Sequence, residues 1–213
     1  MDTLLTTAGS RLAAEVPRPG CPAGSRPIVV HCEGQPAGLP QQKGMTVADD
    51  ACQPVTVSRR ISAPAHEIFL ILASPARHLD LDGSGSLRGA ASSAMISGVG
   101  DVFVMKMYFP HLGDYEMNNH VVEYEQDRRI GWEPEAGRGH PNASPDSATS
   151  SRWGQRWSYQ LTPDGPDATV VTEIYDCSKA PEEERAQMDN GRVWAEAMAE
   201  TLERLDALST QQR

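Results

Sequence analysis

Near the C-terminus, side chains that favour burial return at intervals of three and four. Trp194, Met198, Thr201, Leu202, Leu205 and Leu208 form one stripe, and Arg192, Glu196, Glu203 and Asp206 lie opposite. A helix with a single apolar face has to cover an apolar surface elsewhere in the chain. Pro181-Glu182-Glu183-Glu184 supplies its start, because acidic groups are favoured at the positive end of a helix. The periodicity predicts one continuous helix over 183–208.

The partner for that face has to come from upstream, and upstream the pattern is strand-like. Val55, Val57, Arg59 and Ile61 alternate with Thr56, Ser58, Arg60 and Ser62, the period of two of a half-buried strand. Ser62-Ala63-Pro64 then starts a helix whose apolar positions are Ile68, Phe69, Ile71 and Leu72. Ser74-Pro75 interrupts it, and 76–81 forms a second helical turn before Asp82-Gly83-Ser84-Gly85. Segments rich in β-branched and aromatic residues follow at about 87–97, 102–109, 115–124, 129–132, 153–161 and 169–175, separated by Gly, Pro and Asp. Residues 135–151 carry no large apolar side chain and read as one long loop, a length typical of lids. One strand, two short helices, a meander and a terminal helix predict an α+β fold in which a curved antiparallel sheet wraps the last helix.

The first fifty residues do not fit this plan. They hold six Pro, six Gly and no aromatic residue, the first of which is Phe69. Without large anchors a segment cannot offset its ordering entropy, so 1–50 is expected to be a disordered extension and 53–209 the folded domain. Met45 lies just before the first strand, so a start there would still give the whole domain. The net charge of −10 disfavours nucleic acid and anionic lipid surfaces as partners. No run reaches the roughly 18–20 apolar residues of a membrane span, and the N-terminus lacks a signal-peptide pattern, which predicts a cytoplasmic protein without integral membrane association. Cys21, Cys32, Cys52 and Cys177 show no CxxC spacing and are read as thiols.

Several motifs carry a further likeness: Val57-Ser58-Arg59-Arg60-Ile61-Ser62-Ala63-Pro64, the stretch from His78 to Gly85, and Asn119-His120-Val121-Val122-Glu123-Tyr124. Arg128-Arg129-Ile130-Gly131-Trp132, Trp157-Ser158-Tyr159-Gln160-Leu161 and the stretch from Thr169 to Asp176 continue it in order. With this order and spacing the chain resembles the START-like superfamily with the helix-grip fold, also called SRPBCC, and within it the bacterial polyketide cyclase/dehydrase and lipid-transport group. The resemblance implies an apolar cavity between the concave face of the sheet and the C-terminal helix. It implies no reaction, because members of the superfamily differ in activity.

Strand parity nominates residues for that cavity. In 153–161 the odd positions Trp157, Tyr159 and Leu161 are large, so the odd face points inward. Val171 and Tyr175 face inward by the same test and carry Glu173 with them, while Tyr115, Met117, Asn119 and Val121 form the less charged face of their strand. A buried Glu and a buried Asn demand partners. Either Glu173 and Asn119, with Tyr159 and Tyr175, orient a ligand, or Glu173 pairs with a nearby Arg, Tyr or Trp and Asn119 bonds the backbone. Glu173 is the candidate catalytic acid or base, through a raised pKa. Met105, Met107, Trp132, Trp194 and Met198 are the expected adaptable apolar walls.

No metal site or cofactor is expected. Asp80 to Gly85 matches half a calcium loop, but its twelfth position is Ala91, and the histidines His78, His111, His120 and His140 lack metal-ligand spacing. Phosphate-binding glycine loops and the GxSxG elbow do not occur. The expected function is binding or carriage of a hydrophobic small molecule, lipid or polyketide-like, in the internal cavity. The alternatives are a polyketide cyclase/dehydratase-type enzyme and a regulatory or stress protein acting through a protein partner that the sequence does not identify.

Overall fold

In the computed structural model, residues 53–143 and 152–210 are described. The predicted extension at 1–50, Cys21, Cys32 and Cys52, and residues 144–151 of the predicted 135–151 loop lie outside them. Seven strands form one antiparallel sheet: β1 (Val55–Ile61), β2 (Leu87–Ala90), β3 (Val102–Phe109), β4 (Gly113–Glu125), β5 (Arg129–Ala136), β6 (Arg156–Pro163) and β7 (Thr169–Asp176). Their order is β1-β7-β6-β5-β4-β3-β2. The strands β2 to β7 are a simple meander, and β1 adds to the far side of β7, so the first and second strands of the chain are opposite edges. The connection between them is α1 (Ala65–Leu72), a 3-10 turn at Pro75–Arg77 and α2 (His78–Leu81). After β7 come α3 (Glu182–Gln187), a 3-10 segment at Asp189–Trp194 and α4 (Ala195–Thr210). This is the expected α+β plan.

The α4 stripe is the buried one. Met198, Thr201, Leu202 and Leu205 are buried, and Leu202 and Leu205 share one core with Ile61 of β1, Ile68 and Leu72 of α1, Ile130 of β5 and Val171 of β7. Burying a Leu or Ile side chain contributes about 1.5–3 kcal/mol, so this seam between helix and curved sheet is a main source of cohesion. A salt bridge from Arg59 of β1 to Asp206 at 3.0 Å flanks it.

Three boundaries differ from the sequence reading, each for a local reason. The C-terminal helix is not continuous: Asp189, Asn190 and Gly191 adopt positive φ and separate α3 from α4. Gly191 sits so close to Tyr175 that a Cβ there would lie 2.6 Å from the ring, so the break lets the chain pass over that ring. Second, β5 extends through Pro134 to Ala136, residues that looked like the start of a loop. Beyond Trp132 it pairs with β4 but not with β6, and on such a one-sided stretch a proline need not interrupt the ladder. Third, the strand expected over 87–97 stops at Ala90. The chain then turns back under α1, where the Ile96 N–H donates to the Ala73 carbonyl at 2.8 Å.

Candidate functional site

Between α4 and the sheet lies a cavity of about 250 Å³. Its floor is the concave side of five strands: Phe103, Met105 and Met107 of β3, Tyr115, Met117 and Asn119 of β4, Trp132 and Pro134 of β5, Trp157 and Tyr159 of β6, and Glu173 of β7. The period of two puts these alternate residues on one face. Trp194, Ala197, Met198 and Thr201 form the roof, and Leu72, His78 and Leu81 close one end. The half-buried Phe109, His140, Trp153 and Gln155 stand at the other.

The space survives because the roof is lined by small side chains where it meets the turn after α2. Ala197 and Thr201 of α4 and Ser84 and Ser86 of the turn are all among its lining residues. The turn is also pinned to the helix. Gly83 has no room for a side chain, since a Cβ would lie 2.1 Å from the Ala197 carbonyl oxygen, and its N–H donates to Thr201 Oγ1 at 3.1 Å. Asp82 holds the turn from within: its carboxylate accepts from the Ser84 N–H at 2.9 Å, the Ser84 hydroxyl at 2.6 Å and the Leu87 N–H at 2.9 Å. That is an Asx-type turn, the structural use of an Asp-Gly pair.

Few polar groups reach the cavity, and each has a specific environment. The Tyr159 hydroxyl donates to Glu173 Oε1 at 2.9 Å, while Glu173 Oε2 is buried with no partner among the described residues. Burial pushes the Glu173 carboxyl up to about 8; the Tyr159 hydrogen bond opposes the rise and the negative charge of Asp82 adds to it. The carboxyl is therefore mostly protonated at neutral pH. Tyr159 is raised as well, by burial first and then by Glu173. Asn119 Nδ2 lies 3.3 Å from the Met117 carbonyl and 3.5 Å from that of Phe103, two long backbone contacts. His78 Nε2 is 2.8 Å from the Leu72 carbonyl, which only accepts, so this nitrogen carries the proton. Burial lowers the pKa of His78, and the neutral ring stacks on Trp132 with centroids 5.4 Å apart. Trp194 Nε1, a donor only, is buried with no partner among the described residues.

Of the residues nominated from the sequence, the fold brings Met105, Met107, Asn119, Trp132, Trp157, Tyr159, Glu173, Trp194 and Met198 to the cavity wall. Val121 and Tyr175 point to the same side of the sheet but are not among its lining residues. Val121 is packed in the main core, and Tyr175 lies beneath Trp157, with ring centroids 4.5 Å apart. Parity assigns a face and not a depth, which is why these two could not be separated from their neighbours. His78, Tyr115, Met117 and the Asp82–Ser86 turn line the cavity without having been nominated. Tyr115 and Met117 stood on the nominated face; His78 carried no sequence signal, because its inward direction is set by the short α2 turn.

No family model matches the chain. The uncharacterized protein Rv0088 of Mycobacterium tuberculosis is 32% identical over 145 residues, covering 67% of this chain and 57% of the relative. The chain thus spans little more than half the length of the curated relatives it matches. Among solved structures, protein NE0264 from Nitrosomonas europaea superposes with a TM-score of 0.55 at 15% identity, over 76% of this chain and 97% of its own. Protein Ms6760 from Mycobacterium smegmatis gives 0.53 at 17% identity, over 75% and 92%. These bacterial neighbours share the antiparallel sheet and C-terminal helix, an arrangement compatible with a helix-grip fold. Among the described residues no helix is long and apolar enough to cross a membrane.

Proposed function

We propose that the chain is a START-like, SRPBCC-type protein, with its helix-grip domain at 53–209, that binds or carries an apolar small molecule between α4 and the sheet. The observation that supports this reading is the cavity of about 250 Å³ under α4, walled by methionines and aromatic rings. A dry apolar cavity of about 150 Å³ already accepts benzene, so this one has room for a molecule of two rings or a comparable chain. Its polar groups are few and convergent, as in sites where shape gives affinity and one or two hydrogen bonds give orientation. In this reading Met105, Met107, Trp132, Trp157, Trp194 and Met198 are contact residues, and Glu173 with Tyr159 and Asn119 are orienting ones. Native mass spectrometry of the freshly purified protein tests it. An added mass that organic extraction recovers as an apolar compound is expected; bare protein that also takes up no Nile red contradicts the proposal.

One observation favours a second reading, an enzyme of cyclase or dehydratase type. Glu173 is a buried acid held near 8 beside a tyrosine, a combination suited to proton transfer at neutral pH. Chemical change in the recovered compound on incubation, abolished in Glu173→Gln, would favour that reading over carriage.

A further inference from the structure

We infer that the cavity selects a neutral, hydrogen-bond-accepting ligand, such as a ring-bearing ketone, which accepts from Glu173 Oε2–H and Trp194 Nε1–H. The inference rests on the reading of the space under α4 as a ligand cavity and says what chemistry that ligand carries.

Two buried polar atoms on the cavity wall have no partner among the described residues: Glu173 Oε2 and Trp194 Nε1. Leaving either unsatisfied costs about 1–3 kcal/mol, so each is a place where a guest gains by supplying what is missing. The indole can only donate. Glu173 Oε1 is occupied as acceptor of the Tyr159 hydroxyl, which leaves the acid proton for Oε2 while the carboxyl is neutral, as burial keeps it up to about 8. Both open atoms are then donors, and the complementary group is a carbonyl or ether oxygen.

The charge of the walls decides between a neutral acceptor and an anion. Among the described residues lining the cavity none is Lys or Arg. Burial lowers the pKa of both His78 and His140 there, so neither provides a cation at neutral pH. Asp82 contributes a negative charge to the same cavity. A carboxylate ligand would surrender its hydration and meet no counter-charge. The groups that act on Glu173 are accordingly Tyr159 from β6, through its hydrogen bond, and Asp82 from the turn after α2, through its charge. The part of α4 on the wall contributes Ala197, Met198 and Thr201, which carry no charge.

Calorimetric titration with 2-acetylnaphthalene, 2-ethylnaphthalene and 2-naphthoate, which share one ring system, tests the inference. At about pH 6.5 the ketone is expected to bind about tenfold more tightly than the hydrocarbon, the ratio one well-made hydrogen bond supports, and at least tenfold more tightly than the naphthoate. At about pH 9.5, where Glu173 is ionised and only accepts, the preference for the ketone should fall. Glu173→Gln, whose amide still donates, should keep the preference and lose its pH dependence, whereas Glu173→Leu and Trp194→Phe should each reduce it. Equal affinity for ketone and hydrocarbon, or tighter binding of naphthoate, overturns the inference and leaves the cavity reading standing. Failure of all three probes to bind overturns the cavity reading itself.

Discussion

Glu173 carries an unusual liability for a side chain on a concave sheet face, because it is 3% exposed and one of its oxygens has no partner among the described residues. Below the ordinary carboxyl value of 4.5 it is protonated in both the folded and the unfolded chain. As pH rises from there to about 8 the unfolded chain releases the proton while the folded one keeps it, so stability falls with pH across that window and levels off above it. Replacing Glu173 with Gln removes the linkage and keeps an acceptor for Tyr159. The variant is expected to gain on the order of 2–4 kcal/mol over the parent between about pH 5 and pH 8.5, read as a flatter pH dependence of the urea unfolding midpoint. An unchanged slope would mean that the carboxyl is ionised and solvated in the folded protein. Parity alone placed Glu173 on the inward face. Its missing partner was not legible, since that depends on what Tyr159, Asp82 and Trp194 do in three dimensions.

Among the elements, the break between α3 and α4 has the most specific cause. Gly191 adopts φ 89 against the ring of Tyr175, so a side chain there meets both a strained backbone and a clash. Gly191→Ala is expected to cost about 1–3 kcal/mol in chemical denaturation, with broadened Trp194 fluorescence as a local sign; a cost below about 0.5 kcal/mol would show that the ring moves aside freely. The sequence held the signal, since Asp189-Asn190-Gly191 is strong turn punctuation, but the Glu- and Ala-rich run on either side favours helix and masks it. The end of β5 was hidden for the opposite reason. Pro134 and Glu135 look like loop until one knows that this part of β5 is paired only on the β4 side. Strands with clean alternation, β1, β6 and β7, were legible because a buried and an exposed face imprint directly on the chain.

For the whole molecule, the α+β plan followed from one amphipathic helix that needed a sheet to cover, and α4 does pack on β1 and β7. The enclosed volume was a weaker inference, because a sequence records which residues face inward and not how far apart the walls stand. Here small residues line the space where α4 meets the turn after α2, Ala197 and Thr201 on the helix and Ser84 and Ser86 on the turn, and Gly83 packs directly against the helix. The same interior with its wall of sulfur and aromatic side chains offers built-in reporters. Met105, Met107, Met117 and Met198 line the cavity, whereas Met95 stands 48% exposed on the outside.

Methyl-selective NMR of methionine-labelled protein, titrated with 2-acetylnaphthalene, therefore tests the central claim most directly. Ring-current shifts at Met105, Met107, Met117 and Met198, saturating together while Met95 stays fixed, are the predicted result. Shifts at Met95 with the four interior methyls unmoved, or no shifts at any concentration up to the solubility limit, would contradict it.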